Sequence, residues 1–342
     1  MSEEKAKKTQ TAEQKQLKLR EEVAGIYKAE DMSEINKTVK KMKLDWDKDA
    51  RNTYSSEGKP KLTTGTILDD ILGHGGIIAG KVVELAGEYA TGKTQTVNTL
   101  LAEASQIGTV VLVNNERTFS TERIEQILKA RKLSIETFWK NFLIVTPETW
   151  IEQIAAYEQI PSNQDLDIAG RPHLKLVVVD SLLCLLDADD SFEGRQKLPV
   201  RSRVIRVHLV GKLKRLAYEE QCVVIYTNQI QDVPDVNKFT PSYAKQRAKG
   251  GPTLSHVPDI KIFIRKSASD TRIARLMDSQ ELPVGERVFI INEKGIDDVS
   301  EELKKKIAER TKKEEKQEAD NADKTDAEIA ESILSSETPT GE

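Results

Sequence analysis

Five apolar runs set the pattern of the chain, at residues 81–86, 109–114, 142–146, 174–180 and 222–228. Each is short and nearly continuous rather than alternating, as in strands buried on both faces. The segments between them look helical. Strands alternating with helices predict an α/β fold, a mostly parallel sheet with helices on both faces. From Asp259 the pattern changes to short, closely spaced strands, Ile260–Ile264, Arg272–Met277 and Arg287–Asn292. These predict a C-terminal antiparallel extension.

Outside this core the pattern weakens. Residues 1–24 are charged and nearly free of aromatics, and Thr11 to Val23 predicts a solvated helix. Residues 31–46 predict a second helix, with Met32, Ile35, Val39 and Met42 on one face. Its other face carries Lys37, Lys40, Lys41 and Lys43, either a solvated surface or a phosphate-contacting patch. Residues 52–61 read as a linker. Residues 300–342 begin as a charged helix and end in an acidic Ser/Thr-containing tail, too poor in apolar residues to fold. The expected division is therefore 1–60, a helical segment and linker; 61–299, the core; and 300–342, the charged helix and tail.

The chemistry begins at the end of the first core strand. Gly87-Glu88-Tyr89-Ala90-Thr91-Gly92-Lys93-Thr94 has the G-x-x-x-x-G-K-[ST] spacing, between a strand and a helix that opens with Gln95. Glycines let backbone N–H groups close around phosphate oxygens at the positive end of the helix. Lys93 would reach the β- and γ-phosphates of ATP, and the Thr94 hydroxyl would ligate Mg²⁺. Asp180 ends the run Leu174–Asp180 beside that loop. It would hold the metal through water. Glu116, just past the 109–114 strand, would orient and deprotonate the attacking water. Gln229, just past the fifth run, either senses the γ-phosphate or is a polar strand end without a role.

Composition narrows the setting. With 342 residues and 38% hydrophobic content, the chain can bury one large core. A net charge of −4 excludes a basic nucleic-acid binder overall, so such contact must be a local patch. Two segments qualify. Residues 187–203 hold Gly194, Arg195, Lys197, Arg201 and Arg203; residues 231–251 hold Lys238, Lys245, Arg247 and Lys249 without periodicity. Cationic loops on a rigid sheet suit phosphate contacts that give affinity without sequence preference. Cys184 and Cys222 read as buried free thiols, and no Cys/His cluster suggests zinc. No run is long enough to span a membrane, and no signal peptide is seen, so a reducing, cytoplasmic setting is expected.

In order along the chain, these residues resemble the RadA recombinases of archaea and their eukaryotic strand-exchange relatives, within the RecA-type ATPases. Thr63-Thr64-Gly65 with Leu68-Asp69 and Leu72 is similar to the family's segment before the phosphate loop. Asn115-Glu116-Arg117-Thr118-Phe119 with Glu122-Arg123-Ile124 resembles its E-G-T-F…E-R-I run. Val179-Asp180-Ser181 and Thr227-Asn228-Gln229 match as well. Gly194-Arg195, Leu198 and Arg201 resemble the first DNA-binding loop; Gly250-Gly251 with His256 resembles the end of the second. Arg272–Ser279, Leu282-Pro283 and Val288-Phe289 resemble the segment that caps a neighbouring subunit's ATP.

The resemblance implies a RecA-like P-loop core and a DNA-dependent ATPase that exchanges strands in recombination and repair. It implies water activation by Glu116 and stacking of Arg123 on adenine. It implies γ-phosphate response by Gln229 and His256, and a cap on the adjacent subunit's nucleotide from Asp278 and Pro283. K⁺ near the γ-phosphate, single-stranded and duplex DNA, a helical homo-oligomeric filament and recombination mediators are further expectations of the family. Ile26-Tyr27-Lys28-Ala29 resembles its F-x-x-A subunit-docking motif, with Ile26 in place of the aromatic and Ala29 retained. A helix-flanking apolar residue is the other reading of Ile26.

Three departures stand out. Residues 1–60 lack the glycine-bearing hairpin of the family's helix-hairpin-helix domain. Arg117 stands where the family has glycine, and the second loop offers only Phe239 and Tyr243 for stacking. These leave a second function open, an ATP-binding paralogue that regulates another recombinase's filament. A ring-forming, helicase-like ATPase is a third.

Overall fold

The computed structural model describes residues 59–72, 75–192, 194–232, 246–267, 270–279 and 281–299. Ile26, Ala29, Lys238, Phe239, Tyr243 and Lys245 lie outside the described residues, as do the helices expected in 1–58 and the tail from 300.

The core opens with β1 (Lys61–Leu62), α1 (Leu68–Ile71), β2 (Ile77–Ile78) and β3 (Val82–Gly87). There follow α2 (Lys93–Ala104), β4 (Thr109–Asn114), α3 (Thr121–Arg131), α4 (Ile135–Asn141) and β5 (Phe142–Val145). Next come α5 (Trp150–Glu158), α6 (Asn163–Ile168), β6 (Leu174–Asp180), α7 (Cys184–Asp187) and α8 (Leu198–Arg203). A π-helical stretch, Val204–Val210, runs into α9 (Gly211–Glu220) and β7 (Val223–Asn228). The last elements are β8 (Ile230–Asp232), β9 (Gln246–Ala248), α10 (Gly251–Ser255), β10 (Ile260–Lys266), β11 (Arg272–Ser279), β12 (Gly285–Asn292) and β13 (Gly295–Asp298).

One nine-stranded sheet, in the order β13-β12-β11-β10-β3-β7-β6-β4-β5, holds these together. Strands β10, β3, β7, β6, β4 and β5 run parallel, and β11 to β13 add antiparallel. Alternate residues of each parallel strand feed two cores. Leu176 and Val178 of β6 face the core of α2, α3 and α4, with Leu100, Leu101, Ile127, Leu128 and Phe138. Val177 and Val179 face the core of α5 and α9, with Trp150, Tyr157, Leu213 and Ala217. All four β6 side chains are fully buried, each contributing about 1.5–3 kcal/mol. That double burial is why the strand reads as continuously apolar.

The expected strands are present, most with shifted limits. β7 starts one residue late, while β10 and β11 run on to Lys266 and Ser279. β13 went unanticipated because its sequence, Gly295-Ile296-Asp297-Asp298, lacks apolar alternation. Residues 187–203 are not a plain loop. They form the end of α7, two 3₁₀ turns (Asp190–Phe192 and Arg195–Lys197) and α8. At the ends of the 231–251 segment β8 and β9 pair as Ile230↔Ala248, Gln231↔Arg247 and Asp232↔Gln246.

The topology fixes where chemistry can occur. The carboxyl ends of β3, β4, β6 and β7 place Gly87, Asn114, Asp180 and Asn228 on one rim of the sheet. Ligands of open α/β sheets bind at such a rim.

Candidate nucleotide site and nucleic-acid-facing segments

The loop between β3 and α2 is tightly built. A Cβ on Gly87 would lie 2.3 Å from the Ile264 carbonyl and 2.8 Å from Thr91 Oγ1, so only glycine lets β10 pass. Ala90 and Gly92 turn through positive φ of 60° and 105°, which starts α2 with its N–H groups facing the loop. Thr91 closes the turn by donating to the Glu88 carbonyl at 2.9 Å. Tyr89 stands out from it, 88% exposed.

Lys93 folds back over the loop, its Nζ donating to the Gly87 carbonyl at 2.9 Å and the Glu88 carbonyl at 2.8 Å. Burial draws its ammonium below the usual lysine range, and the charges of Glu116, Asp180 and Glu88 oppose that shift. Thr94 Oγ1 donates to Asp180 Oδ2 at 3.0 Å. The Thr227 hydroxyl donates to the other carboxylate oxygen. Burial pushes the Asp180 carboxyl up, Glu116 adds to the rise, and the two hydroxyls resist it.

Glu116 enters this group through its backbone. Its amide donates to the Asp180 carbonyl at 3.1 Å, and Asn115 Nδ2 donates to the Ser181 carbonyl at 2.8 Å. Asn114 Oδ1 accepts from the Thr118 amide at 3.2 Å. The turn after β4 is thus tied to the end of β6. Arg117 takes φ 56° in this turn, the left-handed region that glycine favours. That explains why a glycine suits the place in the resembled family. Here Arg117 instead reaches outward to Glu148 Oε1 at 3.0 Å, in an exposed ion pair.

The donor set fits a magnesium nucleotide. Hard oxygens from Thr94 and Asp180 converge, and Lys93 lies among three carboxylates, an excess of negative charge that suits a divalent cation. Among the described residues no group of three or more His, Cys, Asp or Glu side chains is placed to hold a metal. A Mg²⁺ held by few protein ligands and by substrate phosphates needs no such cage.

Arg123 is anchored rather than loose. Nε donates to Gln95 Oε1 at 2.7 Å, Nη2 donates to the Asn292 carbonyl at 2.7 Å, and Nη1 donates to Gln126. Its guanidinium therefore sits at the start of α2, beside the phosphate loop.

Asp278, Pro283 and His256 are not brought to this chain's own phosphate loop. In the register, Lys261 pairs with both Glu84 and Asp278, whereas Gly87 pairs with Ile264. Asp278 thus lies level with Glu84, two strands away and about 10 Å back along the sheet at ~3.3 Å per residue. Lys261 Nζ is 3.2 Å from Asp278 Oδ2. Glu84, Lys261, Asp278 and His256 line a 560 Å³ cavity with Phe263 and Met277. Pro283 is exposed beyond β11.

Glu84 escaped the sequence reading. Its carboxyl, 2% exposed, is pushed up to about 7 by burial, and Asn228 Nδ2 donates to it at 2.8 Å. The signal was present, a lone acid within a strand whose neighbours are all apolar. Asn228 also donates to the Lys249 carbonyl at 2.9 Å, and the Gln229 carbonyl accepts from the Lys249 amide at 2.8 Å. Gln229 lines a 220 Å³ cavity with Ser181, Cys184, Asp187 and Lys249.

Of the cationic candidates, Arg201 and Arg203 lie on α8, Arg247 is exposed on β9, and Lys249 leads into Gly250 and Gly251. Both glycines have positive φ, 96° and 57°, which lets the chain turn into α10. Arg195 lies in a 3₁₀ turn, and its side chain falls outside the described part. Arg201 and Lys249 meet at one carboxylate, Asp187, which the sequence reading also passed over.

The Rad51 family model matches residues 59–299. The chain is 38% identical over 247 residues to a DNA repair and recombination protein RadA of Aeropyrum pernix, covering 70% of this chain and 73% of that protein. It is 39% identical over 249 residues to a protein of the same description from Metallosphaera sedula, with the same coverage. No helix among the described residues is long and apolar enough to cross a membrane. A match across the whole described core, with this much identity to two recombination proteins, places the chain in the Rad51 family.

Proposed function

We propose that this chain is a DNA-dependent ATPase and strand-exchange recombinase, acting in homologous recombination and repair as a filament on single-stranded DNA. The observation that carries the reading is a divided site. Lys93, Thr94, Asp180 and Glu116 gather at one end of the sheet. Asp278, His256 and Pro283 lie on another part of the same domain, exposed. A second copy stacked head to tail joins the two halves, closing the nucleotide between subunits.

Within that assembly, Lys93 and the loop amides bind the phosphates, and Thr94 with Asp180 holds Mg²⁺. Arg123 takes the adenine side. Glu116 orients water and receives its proton. ATP supplies the cleavable γ-phosphoryl bond. Gln229 links this end of the sheet to the second cationic segment through Lys249. Among the described residues strand β5 forms the outer edge of the sheet, and it exposes Ile144 and Val145. An open edge accepts an added strand, and the Ile26–Ala29 segment of a neighbour is the occupant we assign. K⁺ beside the γ-phosphate, duplex DNA as second substrate, mediator proteins and a nucleoid-associated setting belong to the same reading.

Electron microscopy on single-stranded DNA, with a non-hydrolysable ATP analogue and without nucleotide, tests it. Nucleotide-dependent helical filaments support the recombinase. ATP binding without filaments would overturn it in favour of the regulatory paralogue, a reading favoured by the Asp187 carboxylate that offsets part of the charge of Arg201 and Lys249. Closed rings would indicate the helicase-like alternative.

A further inference from the structure

Asp187 ends α7 and receives two cations from separate parts of the chain. Arg201, on α8, donates Nη2 to Oδ1; Lys249, after β9, places Nζ 3.4 Å from Oδ2. Their side-chain exposures are 28%, 24% and 35%, so the cluster is half-sheltered from water and from screening salt. Asp187 is a shared wall of two cavities, one of 430 Å³ with Gly194, Leu198 and Arg201, the other of 220 Å³ with Gln229 and Lys249.

The two cations arrive from the two segments assigned above to DNA, and they converge on a single anion with two oxygens. A backbone phosphate offers the same pair of non-bridging oxygens to a guanidinium and an ammonium. The Lys249 backbone is fixed at both its amide and its carbonyl, by Gln229 and Asn228. Its side chain can therefore change partner while the seat keeps its place. The triad carries one net positive charge, against two if the carboxylate were absent.

We infer that the Arg201–Lys249 pair is a seat for one nucleic-acid phosphate, and that Asp187 is its internal occupant, displaced when DNA binds. This rests on the DNA-binding reading proposed above. The carboxylate then weakens DNA binding and restrains the two segments in its absence.

The test is single-stranded DNA binding, by fluorescence anisotropy with an oligothymidylate, across a salt series with ATP analogue present. The wild type is compared with Asp187→Asn, Asp187→Ser, Arg201→Ala and Asp187→Asn/Arg201→Ala, with a thermal melt of each. Both Asp187 variants should bind roughly 3–10-fold tighter near 0.1 M salt. Their slope of log affinity against log salt should steepen by about 0.7, the value for one more phosphate neutralised on a single strand. Arg201→Ala should bind more weakly, and the gain from Asp187→Asn should shrink in its background. If the wild type binds DNA and both Asp187 variants, folded, bind equally or more weakly, the displaced-occupant reading is wrong while the DNA reading stands. If no folded variant binds DNA at any salt, the DNA reading fails and this inference with it.

Discussion

The amide of Glu116 donates to the carbonyl of Asp180 at 3.1 Å. With the Asn115 bond to the Ser181 carbonyl, this bond joins the turn after β4 to the end of β6, and so fixes the backbone of the candidate water-activating acid relative to the candidate metal ligand. It is made by backbone, so side-chain changes at either position leave the frame intact. That makes the site unusually open to clean substitution.

Glu116→Gln keeps the amide bond, the side-chain shape and the turn, and removes only the proton acceptor. Steady-state ATP hydrolysis on single-stranded DNA should fall about 10²–10⁴-fold, the usual contribution of a positioned acid or base. ATP-dependent DNA binding should persist. An unchanged hydrolysis rate would remove Glu116 from the role.

Lys93→Ala takes away the ammonium that bridges the Gly87 and Glu88 carbonyls. Charge-assisted hydrogen bonds contribute about 1.5–3 kcal/mol. Loss of those to phosphate should weaken ATP binding roughly 10–100-fold, read by titration with a fluorescent analogue. Equal affinity in the variant would contradict the phosphate-loop assignment.

The strands of the parallel core, the turn between β3 and α2, and the place of Asp180 at a strand end were legible because their signals are local. Each rests on a few adjacent residues at fixed spacing, or on an uninterrupted apolar run. Glu84 and Asp187 were not legible in the same way. Asn228 and Lys261, the partners of Glu84, and Lys249, one partner of Asp187, come from distant segments, while Arg201 reaches Asp187 only because the 187–203 segment folds back through α8. The separation of Asp278 from the chain's own loop is likewise a matter of register. β13 was missed because it offers one buried apolar residue, Ile296, and no alternation; a glycine at a tight contact and pairing with β12 help to seat it.

That glycine can be tested. Gly295 has φ 86°, and an added Cβ would lie 2.0 Å from Thr99 Oγ1 on α2. The same hydroxyl accepts the Ile296 amide at 3.0 Å. Gly295→Ala combines left-handed strain, about 1–3 kcal/mol, with overpacking of similar size. Denaturant melts should show a loss of roughly 2–5 kcal/mol. A stability within 0.5 kcal/mol of wild type, about the size of a neutral surface change, would mean β13 is not seated on α2 as described.

Glu84 gives the core a pH dependence of defined sign. Its folded pKa is raised from 4.5 to about 7, chiefly by burial, against the pull of the Asn228 hydrogen bond and the Lys261 charge. A raised carboxyl pKa means the folded state holds the proton that the unfolded chain has already released. This group's stabilisation is therefore complete below about pH 4.5 and declines as pH rises toward 7, then stays low. The full loss is on the order of 3 kcal/mol at ~1.4 kcal/mol per pKa unit. Glu84→Gln retains an oxygen for Asn228 but has no proton to lose. Its stability relative to wild type should therefore improve by up to about 3 kcal/mol between pH 4.5 and pH 8, whatever its absolute offset. Urea melts of both proteins at these two pH values measure that difference directly. A difference that does not change with pH would mean the Glu84 carboxyl titrates normally and is hydrated in the folded protein.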